Sequence, residues 1–384
     1  MQPRRHLLVN EPLKVAIAGG SLGGLMAGLE LAAAGADVRI YERSERVPDD
    51  RGAGIVMQPE TLHVLTSRGG LREEETGVWL NHRQHLATDG SLESRQRMPQ
   101  LMTSWGLLYR ALRAAFPAER YQEAVALEGF KDGPSDVIAH FSDNEEKRVD
   151  LLVAADGSRS STRQRLLPQI VPRYAGYVAW RGVVLEAEAD TSLLRTFDDH
   201  FTFQQMRHSH ILCYLIPGAN GETERGQRRL NWVWYWNVPE PDLAAVITDR
   251  TGKLRDFSLP PGEVRADVLR AQDAVAHELF SPQFRELWAA TREPFIQPIL
   301  DLAVPQMVFG RTVLVGDAAF IPRPHTAAST SKAATNAITL GRAITQYPAD
   351  IDAALGEWEP TQLALGRQLQ AHGQTLGNRS QFGG

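Results

Sequence analysis

The spacing of apolar positions marks out the elements of this chain before any motif is considered. Lys14-Val15-Ala16-Ile17-Ala18 is a short β-branched run that ends at once in Gly19-Gly20, the pattern of a buried strand. Leu22, Leu25, Met26, Leu29 and Ala33 then recur at helical spacing, with Gly35 as a C-terminal cap. Val38 to Glu42 reads as a second strand. Together these form a strand–helix–strand unit of about thirty residues, whose right-handed crossover makes the two strands parallel. Asp49 to Gly54 is a polar, Gly-rich loop, Pro59 to Arg68 a helix ending at Gly69-Gly70, and Tyr109 to Phe116 a helix stopped by Pro117. Asp150 to Ala155 is a third buried strand and Thr312 to Val315 a fourth. Between Tyr174 and Val238 the texture is β-rich, with strands at Tyr177–Leu185, His210–Ile216 and Leu230–Val238. Helical spacing returns at Ala271–Phe280, and an Ala-rich helical tail runs from Ser329 onward.

This order predicts an α/β protein: a Rossmann-like, doubly wound framework interrupted by a mainly antiparallel β-sheet domain, with helices at the C-terminal end. The expected boundaries are 1–76, 102–172 and 255–384 for the nucleotide-type domain, and 77–101 with 173–254 for the sheet domain. A length of 384 residues suits two or three domains. Net charge is −5, which leaves no basic footprint for nucleic acid or acidic lipid. The single cysteine, Cys213, excludes an internal disulfide and a cysteine-built zinc site, and reads as a buried small hydrophobe in a reducing compartment. The N-terminal MQPRRHLLVNEP lacks the apolar stretch of a signal peptide, and Val15–Leu29 is too short and Gly-rich to span a bilayer. The expectation is a soluble cytoplasmic protein without metal, membrane or nucleic-acid partners.

The first turn carries candidate chemistry. A dinucleotide fingerprint asks for Gly at three places, and here they fall on Gly19, Ser21 and Gly24. Ser21 is small and its hydroxyl can donate to a phosphate oxygen, while the helix behind it offers free N–H groups. Glu42, closing the second strand, suits an acceptor for ribose hydroxyls. The same residues also read as ordinary βα punctuation followed by a solvated strand-end charge. Two further stretches bear on the choice. LLVAADGSRSSTR (Leu151–Arg163) places Asp156-Gly157 after a strand, and RTVLVGDAAFIPRPH (Arg311–His325) places Gly316-Asp317 after another. Asp317 at a strand end can accept from ribityl hydroxyls, and the chain after Pro324 starts a helix whose N–H groups can face a flavin's pyrimidine edge.

These three motifs, in this order and spread over the chain, resemble the single-component FAD-dependent aromatic hydroxylases. The phrases GIVMQPE (Gly54–Glu60), YAGYVAWRGV (Tyr174–Val183), NWVWYWNV (Asn231–Val238) and PRPHTAA (Pro322–Ala328) resemble the branch that acts on 2,6-dihydroxypyridine. The resemblance implies the aromatic hydroxylase fold, with FAD as cofactor, NADH or NADPH docking transiently near the DG pair, and O2 as co-substrate. It implies transfer of one oxygen through a flavin hydroperoxide to a small hydroxylated ring, a hydroxypyridine such as 2,6-dihydroxypyridine, and a homodimer. Residue by residue, it places Ser21, Leu22, Glu42 and Arg43 at the adenosine end of FAD, with Gly19 and Gly24 in the turn, and Gln58, Arg110 and Leu127 as further cofactor contacts. Asp156 and Gly157 match the DG pair, Gly316 and Asp317 the GD pair, and Pro324, Ala327, Ala328 and Ser329 the flavin-facing turn. The chain departs from the family where Ala327 and Ser329 stand in place of Gly and Asn336 in place of an acid.

Such chemistry benefits from a base that draws the ring hydroxyl toward its anion, and histidine is the usual supplier. His200, His208, His210 and His325 are candidates. His325, within the flavin-facing turn, is the base selected, with Pro324 beside it as the other catalytic candidate and a purely structural role for the histidine as the alternative. Period-two alternation puts Trp232, Trp234 and Trp236 on one strand face and Asn231, Val233, Tyr235 and Asn237 on the other. Tyr214, Pro217, Trp234, Tyr235 and Trp236 are the expected substrate wall, and each tryptophan also reads as sheet core or a dimer contact. Arg181 reads either as one half of an ion pair at the domain junction or as a residue facing substrate. The same fold also suits a larger natural product or a urate-like heterocycle as substrate. The non-enzyme alternative is a flavin-binding sensor.

Overall fold

The computed structural model describes residues 11–45 and 54–383. The Asp49–Gly54 loop, apart from Gly54, and the first ten residues of the N-terminal stretch lie outside the described residues. Six strands form a first sheet in the order Val308–Phe309, Thr312–Leu314, Leu151–Ala154, Lys14–Ala18, Asp37–Tyr41, Tyr121–Gln122. All neighbours are parallel except the outermost pair, Val308–Phe309 with Thr312–Leu314. Both faces are covered, which is why these strands are continuous apolar runs. Val15, Ile17, Val38 and Ile40 pack toward the helices, which include Leu22–Ala33 and Ser329–Gln346. Ala16, Tyr41 and Leu152 pack toward a small antiparallel meander, Leu127–Asp132, Val137–Phe141 and Glu146–Val149. That meander was not expected. Its outer positions are polar, so its strands do not stand out as apolar runs.

The second sheet has nine strands: Phe320–Ile321, Phe295–Ala303, Arg173–Leu185, Arg229–Asn237, Ser209–Ile216, His200–Met206, Val78–Leu86, Leu92–Ser104 and Gly54–Val56. It is antiparallel but for one parallel pair, His200–Met206 beside Val78–Leu86. It reaches beyond the expected 77–101 and 173–254, because Gly54–Val56, Phe295–Ala303 and Phe320–Ile321 all hydrogen-bond into it. The helices Ala266–Leu279 and Pro282–Ala289 also belong with this sheet, burying Ala276, Phe280, Phe284, Leu287 and Trp288 against one face. The 254 boundary therefore falls before the helices that cover the sheet. A 32-residue C-terminal helix, Ile351–Phe382, runs past both sheets. No helix among the described residues is long and apolar enough to cross a membrane.

Trp180, Trp232 and Trp234 share the helix-covered face, and all three are fully buried. Trp234 packs edge-on against Phe280 and Trp288, and its Nε1 donates to Ser209 Oγ at 2.8 Å. Trp236, half-buried, lies beside Trp234. These rings form the inter-layer core. Cys213 lies on the same face, paired across from Trp232, and burial pushes its thiol well above the ordinary range. Truncating a packed tryptophan removes its contacts and leaves a cavity, so Trp234→Ala is expected to lower stability by about 3–5 kcal/mol. Urea unfolding checks this; a loss below about 0.5 kcal/mol, the scale of a surface substitution, would contradict the packing.

Candidate active site

The carboxyl ends of three adjacent parallel strands converge here. Ala18 is in register with Ala154, and Ala154 with Leu314, so Gly19, Asp156 and Gly316 follow side by side along one sheet edge. Gly19 has φ +105, and a Cβ there would lie 2.4 Å from Ala155 O, so the turn needs glycine. A Cβ on Gly24 would lie 1.8 Å from Gly19 O, so the first helical turn also needs its glycine to sit against the loop. Ser21 is the N-cap of the Leu22–Ala33 helix, yet its hydroxyl makes no capping bond. Glu42 reaches back into the turn: its carboxylate accepts from Gly20 N at 2.7 Å and Ser44 N at 2.9 Å. Glu42 O accepts from Val125 N, which brings the segment leading to Leu127 alongside.

Asp156 uses one carboxylate oxygen and leaves the other waiting. Its Oδ2 accepts from Thr162 N at 3.1 Å and Thr162 Oγ1 at 3.0 Å, while Oδ1 is buried without a hydrogen-bond partner among the described residues. Arg163, fully buried, ties this loop to the next. One guanidinium nitrogen donates to Ser158 O at 2.7 Å and another to Ala318 O at 3.1 Å, just past Asp317. Burial pulls its pKa below the ordinary guanidinium range.

Three polar side chains on one stripe of the Ser329–Gln346 helix hold the GD loop. Ser329 Oγ and Lys332 Nζ each donate to Asp317 Oδ1 at 2.9 Å, and Gly316 N donates to Asn336 Oδ1 at 3.0 Å. Lys332 is buried and also reaches Phe320 O. Asn336 thus stands where the family has an acid and accepts the same kind of backbone bond. Ala327 sits in left-handed backbone at φ +52, the geometry that favours the family's glycine. Such a conformation costs a non-glycine residue about 1–2 kcal/mol.

The other wall is the uncovered face of the nine-stranded sheet. Register places Tyr214 opposite Asn231, His210 opposite Tyr235, and Arg181 opposite Val233, all on the face that Trp232 and Trp234 leave. His325 packs on Tyr235 at 4.4 Å between ring centroids, with His210 at 5.3 Å, and its Nε2 meets Tyr177 Oη at 2.9 Å. Burial, with the charges of His210 and Arg323 adding to it, pushes His325 down to about 3. Burial likewise pushes His210 down to about 4, and its Nδ1 meets Ser380 Oγ at 2.6 Å. Tyr235 is pushed up to about 12 and Tyr214 also upward, chiefly by burial. These four groups are neutral near pH 7. Gly54 joins the two halves: its N donates to Asn231 Oδ1 at 3.1 Å, and a Cβ there would meet Tyr214.

The expected site residues therefore sort by position. Gly19, Ser21, Leu22, Gly24, Glu42, Asp156, Gly157, Gly316 and Asp317 line the edge of the parallel sheet or the loops beside it. Ala327, Ala328 and Ser329 start the helix behind Asp317. Arg43 is exposed beside Glu42, Gln58 caps the Pro59–Ser67 helix, and Arg110 lies on Trp105–Ala115. Pro324 opens the turn, and its carbonyl is taken by Ala327 N at 2.9 Å. Pro217 is buried at the end of the Ser209–Ile216 strand, its carbonyl accepting from Arg229 Nε. Trp234 and Trp236 are the correction. They face the covering helices, because that sheet face needs the larger apolar area. His200 and His208 stay apart from the His325 cluster: His200 packs against the His82 ring, and His208 is a turn residue at φ +57. Sequence reasoning missed Tyr121, whose hydroxyl donates to Gly20 O at 2.9 Å, and also Arg163 and Lys332. Only the Arg163 position lay within a motif.

A dinucleotide cofactor fits this edge: glycine backbone at positive φ at Gly19, Gly157 and Gly316, an uncapping Ser21 hydroxyl, and the unsatisfied Asp156 Oδ1. A family model described as FAD binding domain-like matches residues 174–301. A 2,6-dihydroxypyridine 3-monooxygenase from Paenarthrobacter nicotinovorans is 36% identical over 97% of this chain and 92% of that enzyme. The solved 2,6-dihydroxypyridine-3-hydroxylase of Arthrobacter nicotinovorans superposes with a TM-score of 0.91 at 36% identity, covering 97% of this chain and 94% of that one. HpxO of Klebsiella pneumoniae, solved with FAD and uric acid, has the same fold, with a TM-score of 0.79 at 23% identity over 96% of this chain and 89% of that one. The chain belongs to the FAD-dependent aromatic hydroxylases, the flavin monooxygenase family of these dihydroxypyridine-oxidising relatives.

Proposed function

We propose that this protein uses a nicotinamide reductant and O2 to hydroxylate a small N-heteroaromatic ring bearing hydroxyl groups, a hydroxypyridine such as 2,6-dihydroxypyridine. The observation that carries the reading is the junction at Gly54 and His325, where the cofactor-binding edge meets a sheet face presenting Tyr214, Asn231 and Tyr235. A flat aromatic floor with a few amide and hydroxyl groups at its rim suits a planar, polar-edged ring.

FAD, held by Glu42, Asp156, Asp317 and the backbone of the glycine turns, supplies electron transfer and oxygen activation. The chain's own side chains do the rest. Tyr214 and Tyr235, kept protonated by burial, donate hydrogen bonds to ring substituents, and Asn231 Nδ2, buried without a partner among the described residues, offers another donor. Aromatic packing around His325 excludes water from the chamber. His325 holds the turn through Tyr177. With its pKa near 3 it is too weakly basic in this state to take a proton from a ring hydroxyl, so it is a positioning residue rather than the base. The reductant docks beside Asp156–Gly157. Tyr214 and Tyr235 remain as the substrate wall, and Trp234 and Trp236 drop out of it.

Purified protein is expected to be yellow, and 2,6-dihydroxypyridine is expected to accelerate its NADH or NADPH oxidation with release of a hydroxylated ring. Colourless protein that takes up no FAD would overturn the reading. The pH behaviour of the buried imidazoles gives a second check. A folded pKa near 3 or 4, against about 6.5 unfolded, means the unfolded chain binds more protons through that interval. Stability then rises with pH across the window, is complete above about 6.5, and declines as acid is added. NMR of the His210 and His325 rings should show no titration between about pH 8 and about pH 5; a midpoint near 6.5 in either ring would contradict their burial.

A further inference from the structure

Buried guanidinium groups in this protein have partners. Arg228 pairs with Glu186 and Asp198, Arg323 with Asp301, while Arg163 and Arg229 donate to backbone carbonyls. Arg181 is different. It lies on the Arg173–Leu185 strand, half-buried, on the site face of the sheet, with Val233 opposite on one neighbouring strand and Phe295 on the other. Its Nε is buried without a hydrogen-bond partner, as are the Nε atoms of Arg83 and Arg163, but those two bond through their other nitrogens. The Arg181 side chain makes no hydrogen bond to any described residue, and no carboxylate among the described residues pairs with it.

Among the described residues, the charged and titratable groups near this guanidinium supply no anion. Tyr235 and Asn231 flank Val233 on the adjoining strand, and Tyr214 lies one strand further, opposite Asn231. Both tyrosines are held protonated by burial, which the Arg181 charge only partly offsets. From the strand on the other side come Phe295 and Gln297. His210 and His325 are neutral, and Arg83 on the far side of the sheet face is itself a cation, packed over Phe201 and Phe203. A half-buried charge without a counter-ion costs desolvation energy that nothing among the described residues offsets. It is stabilised when an anion arrives.

We propose that Arg181 binds the ionised oxygen of the ring substrate, so that the site selects the anionic, electron-rich form of a hydroxylated ring over its neutral form. The assignment rests on the function proposed above and adds the charge state and the residue that reads it. Nothing is transferred at Arg181: the ring arrives as its anion, having lost its proton to solvent, and the planar guanidinium donates hydrogen bonds to the oxygen. An ionised hydroxyl, rather than a carboxylate substituent, suits a group bracketed by Phe295, Val233 and two tyrosine hydroxyls.

The test uses FAD-loaded enzyme as wild type, Arg181→Met and Arg181→Lys, with ring binding read from the perturbed flavin absorbance. Thermal unfolding and FAD content confirm that each variant is folded. Arg181→Met is expected to weaken 2,6-dihydroxypyridine binding by about tenfold to hundredfold, the scale of a lost charged hydrogen bond, and to raise KM more than it lowers kcat. Arg181→Lys should recover part of the loss. 2,6-Dimethoxypyridine, which cannot ionise, should bind weakly and equally to wild type and Arg181→Met. Unchanged affinity of Arg181→Met for the dihydroxy ring overturns the assignment alone. Wild type that binds no hydroxylated ring overturns the proposed function, and the assignment falls with it. Benzoate binding to wild type as tightly as the dihydroxy ring, and lost in Arg181→Met, would show that the bound anion is a carboxylate and overturn the ionised-hydroxyl reading.

Discussion

The register of three parallel strands is the constraint on which the rest depends. Because Ala18, Ala154 and Leu314 end level with one another, three loops widely separated in sequence leave the sheet at one edge. Each then needs an anchor, since strand pairing stops there. Glu42 and Tyr121 hold the first loop at Gly20, Thr162 holds Asp156, and Ser329, Lys332 and Asn336 hold Gly316-Asp317. Arg163 bonds across two of the loops, so that displacing one leaves a buried cation unsatisfied. Such a site is organised before any cofactor arrives, and the binding energy of the cofactor is not spent on ordering the loops.

The substrate face depends on a second division, between the two sides of one strand. Alternate residues of Arg229–Asn237 give Trp232 and Trp234 to the helical cover and Asn231, Val233 and Tyr235 to the chamber. The aromatic core on one side makes the strand rigid, and the smaller, polar-tipped set on the other is left to meet a ligand. The C-terminal helix closes the arrangement from behind. Asn378 accepts from Arg323, Ser380 meets His210, and Phe382 packs on Tyr177.

Much of this was legible in the sequence, for physical reasons that also mark where legibility stopped. The strands at Lys14–Ala18, Leu151–Ala154 and Thr312–Leu314 are buried on both faces, so their apolar runs are unbroken and the glycines and acids after them stand out. The Leu127–Val149 meander and the His200–Met206 strand alternate with polar residues and blend into loop-like texture. Period two correctly split the tryptophans from Tyr235 but could not say which side the helices cover, since 266–289 lies far along the chain. Arg163, Tyr121 and Lys332 act through single long-range contacts, for which no local pattern exists. That no described residue pairs with Arg181 is likewise a property of its surroundings in space.

Convergence of the motifs on one cofactor is the central claim, and an FAD titration of stripped enzyme tests it most directly. Dissociation constants would be compared for wild type, Asp156→Asn and Asp317→Asn, with circular dichroism confirming that each apoprotein is folded. If both carboxylates serve the same bound group, each substitution raises the constant by about tenfold or more, as expected for a lost charged hydrogen bond. A folded variant of either position that binds FAD as tightly as wild type would show that its loop serves something else.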